Sequence, residues 1–284
     1  MKYLKKGLSR TIKSIKQHKW LFITLVFLQI IFIGLSANLA INYQIKILDD
    51  AKGIIEPLQN ANYDENSLKE GEPFIEDFLS VNKSYNSMIN NIIALIGWSL
   101  LLFIVLNGLI WILTSWIIES NIDWKRRLKD IWQPWFKIIV SLMLTIGPAA
   151  VILYFILQLL SRLEILMENA SVVLNSIITI SSLLYFFIIV AFAFINEVSW
   201  KIFFKKWTLC SFKKIHKSLM VLLINIILIL LSFYLVYLSI YQISSLGLLL
   251  ISSLLIVFVI VITRIFWVSC LEEIKNEKNN HHRY

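Results

Sequence analysis

Six long stretches of the chain are almost wholly apolar: Trp20–Ile41, Asn91–Ile118, Ile138–Leu160, Val172–Ile195, Leu219–Ile243 and Gly247–Cys270. None has an Asp or Glu in its middle. A hydrocarbon core about 30 Å thick is crossed by roughly 20 helical residues at 1.5 Å each, so each stretch predicts a transmembrane helix. Basic residues precede the first, as in a signal peptide. Its apolar run is too long for an h-region and no A-x-A cleavage site follows, so we read it as a retained anchor. Spans five and six are separated only by Ser244, Ser245 and Leu246, which predicts a tight antiparallel hairpin.

The segments before the odd-numbered spans carry a different pattern. In 120–136, Trp124, Leu128, Ile131, Trp132, Trp135 and Phe136 recur at spacings of three and four, with Lys125, Arg126, Lys129 and Asp130 on the opposite side. That predicts an amphipathic helix in the headgroup plane. Pro134 is placed to end it and open the next helix. In 198–217, Trp200, Phe203, Phe204 and Trp207 stand against Lys201, Lys205 and Lys206, followed by a second basic piece from Lys213 to Lys217. In 1–19, Leu4, Leu8, Ile12 and Ile15 face seven bases and no acid. Lys13-Ser-Ile15, Lys129-Asp-Ile131 and Lys213-Lys-Ile215 hold comparable positions before spans one, three and five. The chain then divides into a basic helix 1–19, hairpins 20–118, 119–195 and 196–270, and a tail 271–284. Two explanations stand side by side: three copies of one unit, or the common appearance of odd spans leaving basic loops.

The 43–90 loop is the only sizeable segment outside the spans. Ile47, Ala51, Ile54 and Leu58 are spaced four, three, four; Phe74, Phe78, Val81, Tyr85 and Met88 continue the heptad rhythm. Two helices with narrow apolar stripes are expected, joined by a polar turn over Gln59 to Glu72, with Pro73 in a first helical turn. Span one would extend outward to about Leu58 and span two would begin near Pro73, giving an antiparallel stalk. The stripes satisfy each other in that arrangement; the sharper alternative is that Phe74, Phe78, Val81 and Tyr85 form a surface for a protein partner or a second copy.

Composition removes the soluble classes. Hydrophobic residues make up 58% of the 284, charged residues 16%, and mean hydropathy is +0.75, against about half apolar and a quarter charged in soluble domains. Two cysteines, Cys210 and Cys270, exclude a disulfide scaffold. The expectation is an all-α polytopic membrane protein with six transmembrane helices and a helical-hairpin stalk. Loops assigned alternately to two sides place 22 of the 27 bases, but only 7 of the 18 acids, on the side of the termini. The positive-inside rule makes that side cytoplasmic and 43–90 extracytoplasmic. The sequons at Asn82 and Asn169 fall on the outer side. Eight of ten tryptophans, Trp116, Trp267 and Trp20 among them, lie near the inner boundary. With the lysines they predict a grip on anionic inner-leaflet lipid through Trp124, Lys125, Arg126, Trp132, Trp135, Trp200, Lys205 and Trp207. A basic surface spread along the membrane fits lipid and implies no nucleic acid.

The six-span layout, with Trp- and Lys-rich segments such as Trp124-Lys-Arg-Arg-Leu-Lys-Asp-Ile-Trp132 before odd spans, resembles a broad group of prokaryotic membrane proteins. One example is the membrane domain that accompanies some glycerophosphodiester phosphodiesterases. The resemblance covers most of the chain by layout, without a diagnostic motif, and it carries over no functional residue.

Candidate chemistry is sparse. The polar residues singled out within spans, apart from Ser and Thr, are Gln29, Asn107, Gln158, Asn225 and Arg264. Asn107 and Asn225 fall near mid-membrane, where an amide more often joins helices than binds substrate. Arg264 is placed to snorkel to the headgroups. Gly147-Pro148 and Ser252-Ser253 mark kinks or close contacts. The four histidines are scattered, no phosphate-cradling Gly loop occurs, and no cofactor or metal is expected. The favoured expectation is a non-enzymatic scaffold, assembly or lipid-organising component; the alternative is a small transporter or channel with a path near Asn107, Gln158 and Asn225.

Overall fold

The computed structural model describes residues 2–59, 78–119, 131–162, 170–238, 240 and 246–276. Trp124, Lys125, Arg126, Phe74, the expected turn after Gln59, Ser244, Ser245 and Asn169 lie outside them. The described residues contain helices and no strand. Six helices are long and apolar enough to cross a membrane, within Lys19–Pro57, Phe78–Ile118, Trp132–Ile152, Leu174–Phe192, Ile215–Leu238 and Leu250–Asn276. Large apolar side chains along them face outward, as at Leu230, Leu231 and Phe233. Water would penalise that surface; a bilayer accepts it. The protein is an all-α, multi-pass membrane protein.

Two compact units divide the chain, residues 1–29 with 108–284 and residues 30–107. In the first, α1 (Lys2–Gln17) leads into the opening turns of α2 (Lys19–Gln59). Then come α4 (Gly108–Ile118), α5 (Trp132–Arg162), α6 (Ala170–Phe192), the short α7 (Trp200–Thr208), α8 (Ile215–Leu238) and α9 (Leu246–Asn276). A π-helical turn, Leu209–Lys213, joins α7 to α8. The hairpins α5–α6 and α8–α9 pack along their lengths, and α9 is also lined by α1 and α4. The core sits around the last turns of α9, where Ile265, Trp267, Val268, Cys270, Leu271 and Ile274 are buried. On α8 the inward stripe is Ser218, Val221, Asn225 and Ser232. Small side chains on that stripe allow the close helix approach that membrane packing favours.

Helix α1 also has a second face, absent from the sequence reading: it packs on α9 through Tyr3, Gly7, Thr11 and Ser14 and not through Leu4, Leu8, Ile12 and Ile15. Leu8 and Ile12 are about half exposed. Gly7 is the closest approach, since a Cβ there would lie 2.4 Å from Cys270 Sγ. Lipid is as apolar as leucine, so the apolar stripe gains little by turning inward. The small stripe, with Thr11 Oγ1 donating to Gly7 O at 2.9 Å, brings backbones together.

The second unit holds the remainder of α2, α3 (Phe78–Leu102) and a π-helical turn, Phe103–Asn107. As the heptad rhythm implies, α2 continues past the apolar span as one helix to Gln59, with Pro57 near its end. The π-turn leaves no mark in the sequence. In the first unit, Gly108 opens α4 where Trp135 and Ile138 arrive; a Cβ there would be 3.2 Å from each. Gly147, by contrast, faces open space and α5 continues through Pro148, so Gly147-Pro148 is not a close helix contact.

Candidate functional site

The polar chemistry of the first unit collects at its lysine-rich end. Lys137, in the first turns of α5, is 1% exposed. Its ammonium donates to Ile195 O at 3.3 Å and to Glu197 O, in the turn that ends α6, and lies 5.7 Å from the Trp200 ring centre. Both carbonyls lie just beyond the last turn of α6, where no continuing helix supplies a donor, so the cation satisfies acceptors that burial would otherwise penalise. Lys214 reaches α9, donating to Ile274 O in its last described turn. Two indoles add crossings: Trp207 Nε1 donates to Phe187 O and Trp267 Nε1 to Ile189 O, each at 3.1 Å.

Beside this network is a cavity of about 280 Å³. Arg10 from α1, Ser115 and Glu119 from the end of α4, Asn196 and Glu197 after α6, and Glu272 from α9 line it. Most of its charge is balanced internally. Lys206 pairs with Glu197, Lys275 with Glu272 at 3.5 Å, and Arg10 with Glu273 at 3.7 Å. Asn196 Nδ2 reaches Ile112 O at 3.4 Å, while its Oδ1 is buried without a partner. Burial, helped by Lys275 and opposed by Glu272, pushes the Lys206 ammonium down to about 8. Burial pushes the Cys210 thiol up to about 12, which makes it a poor nucleophile. Cys210 and Cys270 are free thiols. Among the described residues no three His, Cys, Asp or Glu converge on a metal position. The arrangement ties helix ends together by charge.

The second unit offers a surface. Asp50 accepts from Asn91 Nδ2 at 2.7 Å, and a Cβ on Gly53 would meet Ser84 Oγ at 2.6 Å, so α2 and α3 pack antiparallel at close range. Ile47, Ala51 and Ile54 are half-buried, as their spacing implies. On α3 the half-buried positions include Val81, Ser84, Ser87 and Met88, whereas Phe78 and Tyr85 are 64% and 52% exposed. The expectation that Phe78 and Tyr85 share the inward stripe is therefore wrong. The Gly53–Ser84 approach leaves no depth for large rings. On α2, Ile45, Leu48 and Ile55 are also about half exposed. By helical spacing Leu48 and Ile55 share one flank, about 100° round the helix from Ile47 and Ile54, and Ile45 lies further round.

No family model, curated protein or solved structure matches the chain.

The other sequence candidates scatter. Asn107 and Asn225 are buried, and Asn225 Oδ1 has no hydrogen-bond partner. Gln158 is exposed on α5. Neither the cavity above nor the groove described below is lined by any of the three. Arg264 does not snorkel outward; its guanidinium stacks over the Trp111 ring at 5.3 Å, with Nη1 buried and unpartnered. The expected tryptophan belt splits: Trp20 and Trp132 are largely exposed, Trp135, Trp200 and Trp207 half-buried, and Trp116 and Trp267 in the core. Lys205 is exposed, but Lys206, expected on the same solvated face, is buried against Glu197. Lys137 was missed altogether. Its signal was a lone base immediately before a span and after a Trp-Phe pair.

Proposed function

We propose that the chain is a non-enzymatic membrane scaffold. Its stalk docks a protein partner on the extracytoplasmic side, and its basic end holds anionic lipid of the inner leaflet. The observation that carries this reading is the set of exposed apolar side chains flanking the stalk seam: Ile45, Leu48 and Ile55 on α2 with Phe78 and Tyr85 on α3. By the span arithmetic Ile45, Leu48 and Ile55 lie beyond the outer end of the apolar run Trp20–Ile41, where lipid tails do not cover them. Apolar side chains rimmed by exposed Lys46, Asp49, Lys52 and Glu56 have the make-up of a protein contact. The distribution of bases supports cytoplasmic termini. The internally paired charges of the lysine-rich end support a structural role over a catalytic one.

A photo-reactive side chain at Leu48 or Tyr85 should give one defined adduct in membranes, either with another protein or with a second copy. With the photo-reactive side chain at Tyr85, Ile45→Asp with Ile55→Asp should abolish that adduct while membrane insertion persists, and removal of residues 47–88 should end recovery of the partner in chemical cross-linking. An unchanged adduct from Tyr85, or unchanged recovery after the deletion, refutes the docking role.

A further inference from the structure

A second concavity, of about 320 Å³, opens in the first unit among α5, α6 and the end of α7. Pro148 and Ile152 come from α5, Leu184 and Phe187 from α6, Trp207 and Thr208 from α7. Its walls offer almost nothing to a polar ligand. The hydroxyls of Thr145 and Thr208 are both spent on their own helices, donating to Ser141 O at 2.7 Å and Phe204 O at 2.9 Å. The Trp207 indole is pinned by its bond to Phe187 O. Phe212, 5.2 Å from the Phe187 ring, closes that side. The interior therefore suits hydrocarbon.

The rim has the opposite character. Lys205 and Lys201 stand three and seven residues before Thr208, on the same side of α7, and both are exposed. An occupant that fills the groove thus leaves its far end beside two ammonium groups at the headgroup-facing helix. We propose that this groove retains one acyl chain of an anionic phospholipid, with the lipid's phosphate held by Lys201 and Lys205. A methylene gains little on moving from the bilayer into an apolar wall. Preference for this lipid over its neighbours accordingly rests on the lysines, each contributing about a fivefold bias near the membrane surface. The inference rests on the proposed lipid contact of the basic end and is independent of the stalk.

The test uses the full chain in phosphatidylcholine nanodiscs containing a trace of phosphatidylglycerol with a diazirine near the end of one acyl chain. Irradiation and peptide mapping should give saturable labelling on the α5–α6 face around Ile152 and Leu184. Unlabelled phosphatidylglycerol should displace it roughly twentyfold more effectively than phosphatidylcholine. Lys201→Gln with Lys205→Gln should bring the two competitors to parity. Ile152→Trp, at a position already 53% exposed, should fill the groove and remove the label without disturbing the fold. Labelling as strong on the outward face of α8 at Leu230 and Leu231, equal displacement by both lipids, or a label that survives Ile152→Trp would each overturn the proposal.

Discussion

The contact between Gly7 and Cys270 sets up a sharp experiment. A methyl group at Gly7 would sit 2.4 Å from Cys270 Sγ, 3.2 Å from its Cα and 3.3 Å from its amide nitrogen, where ordinary contact begins at 3.4 Å. Sγ is inside the core, at 0% exposure of its residue, and the other two atoms belong to the backbone of α9, so helix α1 must move. Two effects oppose each other in Gly7→Ala. Helix propensity favours alanine by about 1 kcal/mol, while overpacking costs about 1–3 kcal/mol. Propensity stabilises α1 whether or not it is docked, so only the clash shifts the docking equilibrium. In a Cys210→Ser background the maleimide reactivity of Cys270 reads that equilibrium directly. Gly7→Ala should raise the labelling rate roughly tenfold, and Gly7→Leu by a hundredfold or to the undocked limit. If both variants label at the wild-type rate, α1 does not seat on α9 through this glycine.

Further outcomes follow from the same geometry. Gly53→Cys with Ser84→Cys should form a disulfide on mild oxidation, because the constructed Cβ at 53 lies 3.3 Å from the Ser84 Cβ, near the separation that disulfides use; a reduced pair on a non-reducing gel argues against the stalk seam. Asn91→Leu should cost about 1.5–3 kcal/mol by orphaning the Asp50 carboxylate, read as easier proteolysis of the stalk. For Lys206, a folded pKa near 8 against an ordinary 10.5 means the unfolded chain binds more protons between those values. Stability should therefore rise as pH increases from 8 towards 10.5, and Lys206→Met should remove that slope in thermal unfolding in detergent. Trp111→Leu withdraws the ring from Arg264 and should destabilise the bundle by about 1–2 kcal/mol, with Arg264→Met in the same background restoring most of it.

Much of the architecture was legible because hydrocarbon imposes a one-dimensional rule. Length and apolarity alone locate the spans, and heptad spacing alone carries α2 out to Gln59. Faces were harder. In water an apolar stripe announces the buried side of a helix, but beside lipid that inference loses its force. Hence α1 docks through Gly7 and Thr11 while Leu8 and Ile12 turn away, and Phe78 and Tyr85 face outward while Ser84 meets Gly53. The lysine-rich end was legible only in part, for a related reason. Charge near a boundary suggests headgroups, yet Lys137, Lys206 and Lys214 meet carbonyls and a carboxylate supplied by distant helix ends, partners that no local pattern reveals. The π-turn at Phe103–Asn107 has no compositional mark of any kind.

The position of Lys137 has a consequence for biogenesis. Until the residues that follow α6 are in place, that ammonium lacks the Ile195 and Glu197 carbonyls and must snorkel to water or headgroups. The middle hairpin is thus completed as a pair, since only the second helix brings the acceptors that let the first bury its lysine.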